Sequence, residues 1–198
     1  ILNDIQVPYM MEYLICNNGA IVVTGSIDLT GTKLPELPRF GMRMELHQPY
    51  ENLTYYGRGP FENYIDRYSG AFIGRYEDKV ENQFYWYIRP QETGNKTDVR
   101  WLTLLDSEGQ GVRITGLQPI SFSALHFSPE DLDPGLTRKL QHTIDIVPQK
   151  NIFLHVDLKQ RGLGGDNSWG MYPHNEYRLL DKKYTYSYMI ELVEKKSD

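Results

Sequence analysis

Short runs of β-forming residues, separated by Gly, Pro, Asn and Asp, recur along the whole chain and constrain its fold more than any other feature. Tyr, a strong β-former, alone accounts for 15 of the 198 residues. No segment alternates strands with long helical periods, which argues against a parallel sheet and against a (β/α)₈ barrel. We therefore predict an all-β protein, a large antiparallel β-sandwich, with residues 1–198 forming a single domain.

The last predicted strand has the cleanest alternation. Tyr184, Tyr186 and Tyr188 fall on one face, with Ile190 and Leu192 continuing it, while the intervening residues are mostly polar. One face is therefore expected to pack against the core and the other to face water. Strands are predicted over residues 20–29, 41–47, 53–56, 99–105, 111–115, 139–147, 152–158 and 184–193.

Two local signals predict a turn and a helix start. Residues 106–111, Asp-Ser-Glu-Gly-Gln-Gly, predict a hairpin connection because its glycines can adopt the positive φ values of such turns. Residues 128–131, Ser-Pro-Glu-Asp, predict a helix start, with a serine cap, a proline at the first helical position and acids in the first turn.

The charge balance bears on possible partners. The formal net charge is −5, so the chain lacks the basic field that attracts a phosphate backbone, and no nucleic-acid partner is expected. No apolar run approaches the length of a bilayer-spanning helix, so no membrane partner is expected either. The single cysteine, Cys16, excludes an internal disulfide.

A glycine-rich loop, Gly-Leu-Gly-Gly-Asp-Asn-Ser-Trp at residues 162–169, presents one large aromatic ring. Its glycines allow positive φ, and Asp166 and Asn167 can hold a turn by bonding nearby backbone groups. Such a loop can direct the Trp169 indole outward, where a flat apolar ring suits the face of a sugar. The alternative is that Trp169 closes one end of the sandwich core, which is the commoner role of a large aromatic residue.

Other candidate chemistry is weak. The five histidines, His47, His126, His142, His155 and His174, lack metal-ligand spacing, so no metal site is predicted. The glycine loop lacks the third glycine and the following helix of a dinucleotide site, so no cofactor is predicted.

Glu92 could act as an acid or base if burial raised its pKa, although a surface carboxylate is commoner. Asp66 and Arg67 are expected to make structural hydrogen bonds. No pair of carboxylates stands out as catalytic.

Three motifs together resemble one family. They are Gly-Arg-Gly-Pro-Phe-Glu-Asn-Tyr-Ile-Asp-Arg (57–67), Pro-Gln-Glu-Thr-Gly-Asn-Lys-Thr-Asp-Val-Arg-Trp (90–101) and the glycine loop (162–169). In this order they resemble the C-terminal domain of the large β-galactosidases of glycoside hydrolase family 2. Residues 37–42, Leu-Pro-Arg-Phe-Gly-Met, are similar to the entry into that domain.

The resemblance implies a galactose mutarotase-like supersandwich. It also implies that the catalytic glutamates and the Mg²⁺ ligands lie in a barrel elsewhere in the parent enzyme, so this domain has no catalytic residue. The implied partners are the remaining domains of the same β-galactosidase and a galactoside substrate, in a homo-oligomeric parent of the bacterial cytoplasm or periplasm. By motif position, Trp169 contributes to the aglycone subsite, with Asp166 and Asn167 as accompanying substrate-binding residues.

Two alternatives remain open. A stand-alone aldose 1-epimerase would need a histidine and a glutamate converging on the anomeric centre, with His126 or His155 as the acid. A free carbohydrate-binding module would bind galactosides by itself. The residues that follow Trp169, Gly-Met-Tyr-Pro-His at 170–174, depart from the lactose-cleaving relatives and leave the acceptor preference undetermined.

Overall fold

A computed structural model describes residues 6–133, 135, 142–167 and 169–195. Within them the chain forms nine strands, one short helix and three 3₁₀ turns. The strands are β1 (Tyr9–Ile15), β2 (Ile21–Asp28), β3 (Arg39–Leu46), β4 (Asn52–Gly59), β5 (Phe72–Lys79), β6 (Lys96–Leu105), β7 (Gly111–Leu125), β8 (Ile152–Gln160) and β9 (Lys183–Val193). The helix α1 spans Pro129–Leu132, and the 3₁₀ turns span Val80–Asn82, Thr143–Asp145 and Asn175–Tyr177.

All strand pairs are antiparallel, and the nine strands form one hydrogen-bonded sheet. Seven of them follow the order β1-β2-β9-β7-β6-β4-β5, and β8 and β3 branch from this row at β7. The long strand β7 changes partner along its length. Its first half pairs with β9 between Gly111 and Gly116, and its second half pairs with β8 between Ser121 and Leu125. Because β8 also pairs with β3, the sheet branches at β7 and supplies a second layer.

The two layers pack through aromatic side chains. On β9, the buried rings of Tyr184 and Tyr186 lie 5.7 and 5.5 Å from the ring of Phe40 on β3, measured between centroids. The Tyr186 hydroxyl donates to the Val156 carbonyl on β8, at 2.9 Å, so its polar end is satisfied inside the core. The predicted all-β antiparallel sandwich is therefore confirmed, with both layers belonging to one continuous sheet.

Local signals in the sequence match the structure where they depend on neighbouring residues. Tyr184, Tyr186 and Tyr188 are buried along β9, while Leu192, near the end of the strand, is exposed. Gly109 has φ +82 in the hairpin between β6 and β7. At α1, the Ser128 hydroxyl accepts from the Asp131 amide and the Asp131 carboxylate accepts from the Ser128 amide, which forms a capping box.

One predicted strand is wrong. In the predicted strand at 139–147, residues 139–141 lie outside the described part of the chain. The rest contains the 3₁₀ turn Thr143–Asp145 and no strand. The His142 amide donates to the Asp145 carboxylate and caps this turn, so local side-chain hydrogen bonding prevails over the β propensity of these residues.

Candidate functional site

The glycine-rich loop leaves the end of β8 and returns before the 3₁₀ turn Asn175–Tyr177. The Gly162 amide donates to the Tyr177 carbonyl at 2.8 Å, which closes the base of the loop. Further out, a Cβ atom on Gly165 would lie 2.3 Å from the Met171 carbonyl oxygen, so the two legs of the loop are in backbone contact. The loop is therefore a narrow protrusion, and glycine at 165 permits the close approach.

Asp66 fixes this loop to the rest of the molecule. The Gly164 amide donates to its Oδ2 at 2.6 Å. A Cβ atom on Gly162 would lie 2.7 Å from the Asp66 Cγ, so a side chain at 162 would displace the carboxylate. Two of the sequence motifs, 57–67 and 162–169, thus meet in one hydrogen bond, and the expected structural role of Asp66 is confirmed.

Trp169 lies at the tip of the loop and is 92% exposed. Its amide donates to the Asn167 Oδ1 at 2.8 Å, a local turn that sets the backbone direction before the indole. Gly170 follows with φ +95, a conformation that other residues rarely adopt. The ring does not close the sandwich core, so the structural alternative for Trp169 is wrong.

The loop brings together all three residues predicted to bind substrate, and two of them also hold its shape. Asn167 accepts from the Trp169 amide, as described above. The Asp166 Oδ1 lies 2.8 Å from the His174 Nε2, an ion pair across the legs of the loop when the imidazole is protonated. This hydrogen bond raises the pKa of His174 above its ordinary value. Ser168 lies outside the described residues.

Glu62 forms a second polar centre, which sequence reasoning missed. Its buried carboxylate accepts from Arg67 Nη2 at 2.7 Å, from the Gly94 amide at 2.7 Å and from Thr93 Oγ1 at 3.0 Å, and the Tyr87 hydroxyl also donates to it. Burial acts to raise the pKa of Glu62, but these hydrogen bonds outweigh it and hold the pKa below its usual value. The carboxylate therefore joins motif 57–67 to motif 90–101.

A cleft of about 460 Å³ lies beside Glu62. Aromatic side chains of Phe61, Tyr85 and Tyr87 line it, together with the buried ammonium group of Lys96. The Lys96 Nζ donates to the Gln83 Oε1 at 3.0 Å and to the Gly94 carbonyl at 3.3 Å. Burial lowers the pKa of Lys96 to about 8.

Arg39 organises a third polar cluster at the end of β3. Its Nη2 donates to Glu92 at 3.0 Å and to Gln160 at 2.6 Å, and its Nε lies 3.0 Å from the buried Asp157 carboxylate. Burial raises the pKa of Asp157 to about 7, although Arg39 acts against the rise. Burial likewise raises the pKa of Glu92, against the same guanidinium. Glu92 is thus an ion-paired, half-buried residue and not a freely exposed surface carboxylate.

The histidines named for an epimerase are already engaged. The His155 Nδ1 lies 3.1 Å from the Arg39 Nη1, and because arginine can only donate, the imidazole accepts there and is neutral. Burial lowers the pKa of His155 to about 4, with Arg39 and Arg43 acting in the same direction. The His126 ring contacts the Asn151 carbonyl at 3.2 Å and Glu51 at 3.0 Å. His155 therefore does not supply the protonated acid that epimerisation needs, and both ring nitrogens of His126 are engaged by acceptors within the protein.

Within residues 6–133, 135, 142–167 and 169–195, no group of three or more His, Cys, Asp and Glu side chains is placed to hold a metal ion. No helix in the same part of the chain is long and apolar enough to cross a membrane.

The fold and the loop define an antiparallel β-sandwich domain. It presents an aromatic residue, Trp169, on a loop that a hydrogen bond to Asp66 fixes to the rest of the domain. The sequence model of the β-galactosidase small chain matches residues 3–190, and the chain belongs to this family. It is 36% identical to a β-galactosidase of Priestia megaterium over 182 residues, which cover 91% of this chain and 17% of the relative.

Two further relatives agree. The chain is 35% identical to a β-galactosidase of Streptococcus thermophilus over 190 residues, covering 95% of this chain and 18% of the relative. It is 33% identical to a β-galactosidase of Halalkalibacterium halodurans over 177 residues, covering 88% and 17%. The chain therefore spans less than a fifth of the length of these relatives and corresponds to one part of a larger β-galactosidase chain.

Proposed function

We propose that the chain is the small-chain domain of a family 2 β-galactosidase in which it borders the active site and supplies Trp169 to the subsite that holds the aglycone. The catalytic carboxylates, and the Mg²⁺ that the resemblance implies, belong to the remaining domains of the enzyme. The observation that carries the proposal is the exposure of Trp169 on a loop whose backbone is fixed by Asp66 and Asn167. A ring presented in this way can stack on a sugar without first ordering its loop.

The expected contribution of Trp169 is modest. Stacking a sugar face on indole contributes about 1 to 2 kcal/mol, by analogy with aromatic pairing and area burial. This free energy changes an affinity roughly 5- to 30-fold and is far smaller than the barrier reduction that glycoside hydrolysis requires. Trp169 is therefore proposed to bind the acceptor, while the chemistry is done elsewhere.

The test is Trp169→Ala in the complete β-galactosidase that contains this chain. We expect the glucose concentration that half-saturates transfer to acceptor to rise roughly 5- to 30-fold. The rate of forming the galactosyl-enzyme from nitrophenyl galactoside should change much less. Tyr13→Ala, which removes an exposed ring on β1, is the control and should leave both parameters unchanged. Unchanged acceptor kinetics in the Trp169 variant would overturn the proposal.

A second surface supports the proposal that other domains pack against this one. Two exposed aromatic side chains, Phe61 and Tyr85, line the cleft beside Glu62, and the exposed Trp86 ring lies 4.8 Å from the ring of Phe84, which also lines it. An apolar patch of this kind marks an interaction surface in a soluble protein. We assign it to the rest of the β-galactosidase chain, because the relatives are more than five times the length of the segment matched here.

Cysteine labelling in the complete enzyme tests this assignment. In a Cys16→Ser background, Phe61→Cys should react slowly with a bulky maleimide because the neighbouring domain covers it. Leu14→Cys, on the exposed edge strand β1, is the comparison and should react rapidly. Equal rates at the two positions would refute a covered patch.

The two alternatives have direct tests as well. Polarimetry on fresh α-galactose would detect an epimerase, and calorimetric titration of the isolated chain with galactosides would detect a free carbohydrate-binding module. Epimerase activity abolished by His155→Gln, or tight galactoside binding by the isolated chain, would replace the proposal made here.

A further inference from the structure

Tyr172 occupies an unusual position in the tail of the glycine loop. Its ring is 59% exposed, yet two guanidinium groups support it: the Arg178 Cζ lies 4.9 Å and the Arg161 Cζ 5.4 Å from the ring centroid. Both distances are within the range of cation–π contacts. An exposed aromatic ring is thus held in place by two cations.

Glu36 fixes these cations. Its Oε1 accepts from the Arg161 Nη1 at 2.9 Å and its Oε2 accepts from the Arg178 Nε at 2.5 Å. The Glu36 side chain is only 4% exposed, while the side chains of Arg161 and Arg178 are partly exposed. Charge-assisted hydrogen bonds in such a setting keep long arginine side chains in one geometry.

The cations support one side of the ring. The two guanidinium groups bind the two oxygens of one carboxylate, so both approach the Tyr172 ring from the region of Glu36. The remaining ring surface accounts for the exposure of Tyr172. If Tyr172 served only to shield the ion triad from water, its ring would be buried against it, and the exposed fraction argues against that role.

Tyr172 and Trp169 belong to the same surface. Three residues of extended chain span at most about 11 Å, so the Cα atoms of Trp169 and Tyr172 lie no farther apart than that. The contact between Gly165 and the Met171 carbonyl, together with the Asp66 anchor, fixes both legs from which the rings project. Neither ring needs the loop to be ordered before a ligand binds.

We infer that Tyr172 is a second ring platform, one sugar unit beyond Trp169, and that this domain adapts its enzyme to β-galactosides whose aglycone contains at least two sugar units. The inference rests on the proposed function, since it extends the aglycone subsite assigned to Trp169. The arginine-supported ring receives the second sugar of the aglycone by stacking. A monosaccharide aglycone ends at Trp169 and leaves Tyr172 unused.

The experiment compares three substrates in the complete β-galactosidase: nitrophenyl galactoside, lactose, and a trisaccharide with galactose β-linked to lactose. Tyr172→Ala should raise KM for the trisaccharide at least fivefold more than KM for lactose, while Tyr172→Phe, which keeps the ring, should retain the wild-type ratio. Arg178→Met, which removes one supporting cation, should give an intermediate ratio. Tyr13→Ala is the control for loss of an exposed tyrosine. Melting temperatures establish that each variant is folded.

The outcomes separate this inference from the proposed function. If Trp169→Ala weakens the glucose acceptor but Tyr172→Ala affects lactose and trisaccharide equally, the second platform is wrong and the first stands. If Tyr172→Ala affects only the trisaccharide while Trp169→Ala has no effect, Tyr172 binds the aglycone by itself, and both the role of Trp169 and the two-ring arrangement are wrong. If Tyr172→Ala lowers the melting temperature and Tyr172→Phe leaves the KM ratio but lowers kcat for all substrates, Tyr172 is a structural residue and the inference fails.

Discussion

Asp66 and Gly164 are 98 residues apart in sequence, yet the Gly164 amide donates to the Asp66 carboxylate at 2.6 Å. This hydrogen bond connects the turn that follows β4 to the loop that carries Trp169. Gly162 lies against the same carboxylate, with no space for a side chain. The direction in which the loop projects is therefore set by a residue that the loop itself does not contain.

Removing the Asp66 carboxylate should loosen the glycine loop. A hydrogen bond to a charged group contributes about 1.5 to 3 kcal/mol, so Asp66→Ala should accelerate amide exchange at Gly164 by at least tenfold. Hydrogen–deuterium exchange of the peptide covering residues 162–169 measures it. Asp106→Ala, which removes a carboxylate that holds the Glu108 and Gln110 amides in the distant hairpin, is the matched control. Equal exchange of the loop in both variants would contradict the anchoring role.

Neutralising Glu62 should destabilise the protein strongly at neutral pH. Glu62→Gln leaves Arg67 and several buried donors with a weaker acceptor, and we expect unfolding to become easier by about 2 to 4 kcal/mol. Urea denaturation at pH 7 measures the change. Glu77→Gln, which alters an exposed pair with Arg75, should change stability by less than about 0.5 kcal/mol.

Glu62 should also determine how the free energy of unfolding changes with pH under acidic conditions. Because the pKa of Glu62 is lowered in the folded protein, its contribution is present above the pKa of the unfolded chain, about 4.3, and is lost as the pH falls through the lower folded value. Urea titrations between pH 6 and pH 3 should therefore show a stability loss that is reduced in Glu62→Gln. If the free energy of unfolding fell equally with pH in both proteins, Glu62 would not contribute to the pH dependence of stability.

The mobility of Trp169 should depend on pH through His174. The hydrogen bond to Asp166 raises the pKa of His174, and Glu176 acts in the same direction. The Asp166–His174 ion pair therefore stabilises the loop fully below the unfolded pKa of His, about 6.5. This contribution is lost as the pH rises through the higher folded pKa. Fluorotryptophan NMR should show the Trp169 resonance shifting over this range. His174→Ala should remove the shift, and His47→Ala should preserve it.

A methyl group at Gly41 should be poorly tolerated. Its Cβ would lie 1.9 Å from the Asp157 Oδ1 and 2.6 Å from the Asp157 Cα, which is backbone and cannot rotate away. We expect Gly41→Ala to lower the free energy of unfolding by about 1 to 3 kcal/mol. At Gly70 the nearest atom would be 3.7 Å away, so Gly70→Ala is the control, expected to have an effect below about 0.5 kcal/mol. Thermal unfolding of the two variants decides the comparison.

The strands that escaped sequence analysis share a position in the sheet. β1 and β5 are the two ends of the main strand order, and their side chains are mostly exposed on both faces. Without a buried face there is no alternation to detect. The second half of β7, residues 120–125, also escaped, although Ile120, Phe122 and Ala124 alternate with serines in the sequence. All six residues are buried, the serines included.

What the sequence alone determined is local: the antiparallel β class, the alternation of β9, the hairpin at 106–111, the cap at Ser128, and a glycine loop carrying Trp169, Asp166 and Asn167. Each depends on residues a few positions apart, where backbone geometry and side-chain hydrogen bonds act directly. Only the tertiary structure decided that Trp169 faces solvent, that Asp66 holds the loop, and that Glu36 aligns two arginines beneath Tyr172. These contacts join residues about 100 or more positions apart, and they exist because the branched sheet brings distant loops to one rim.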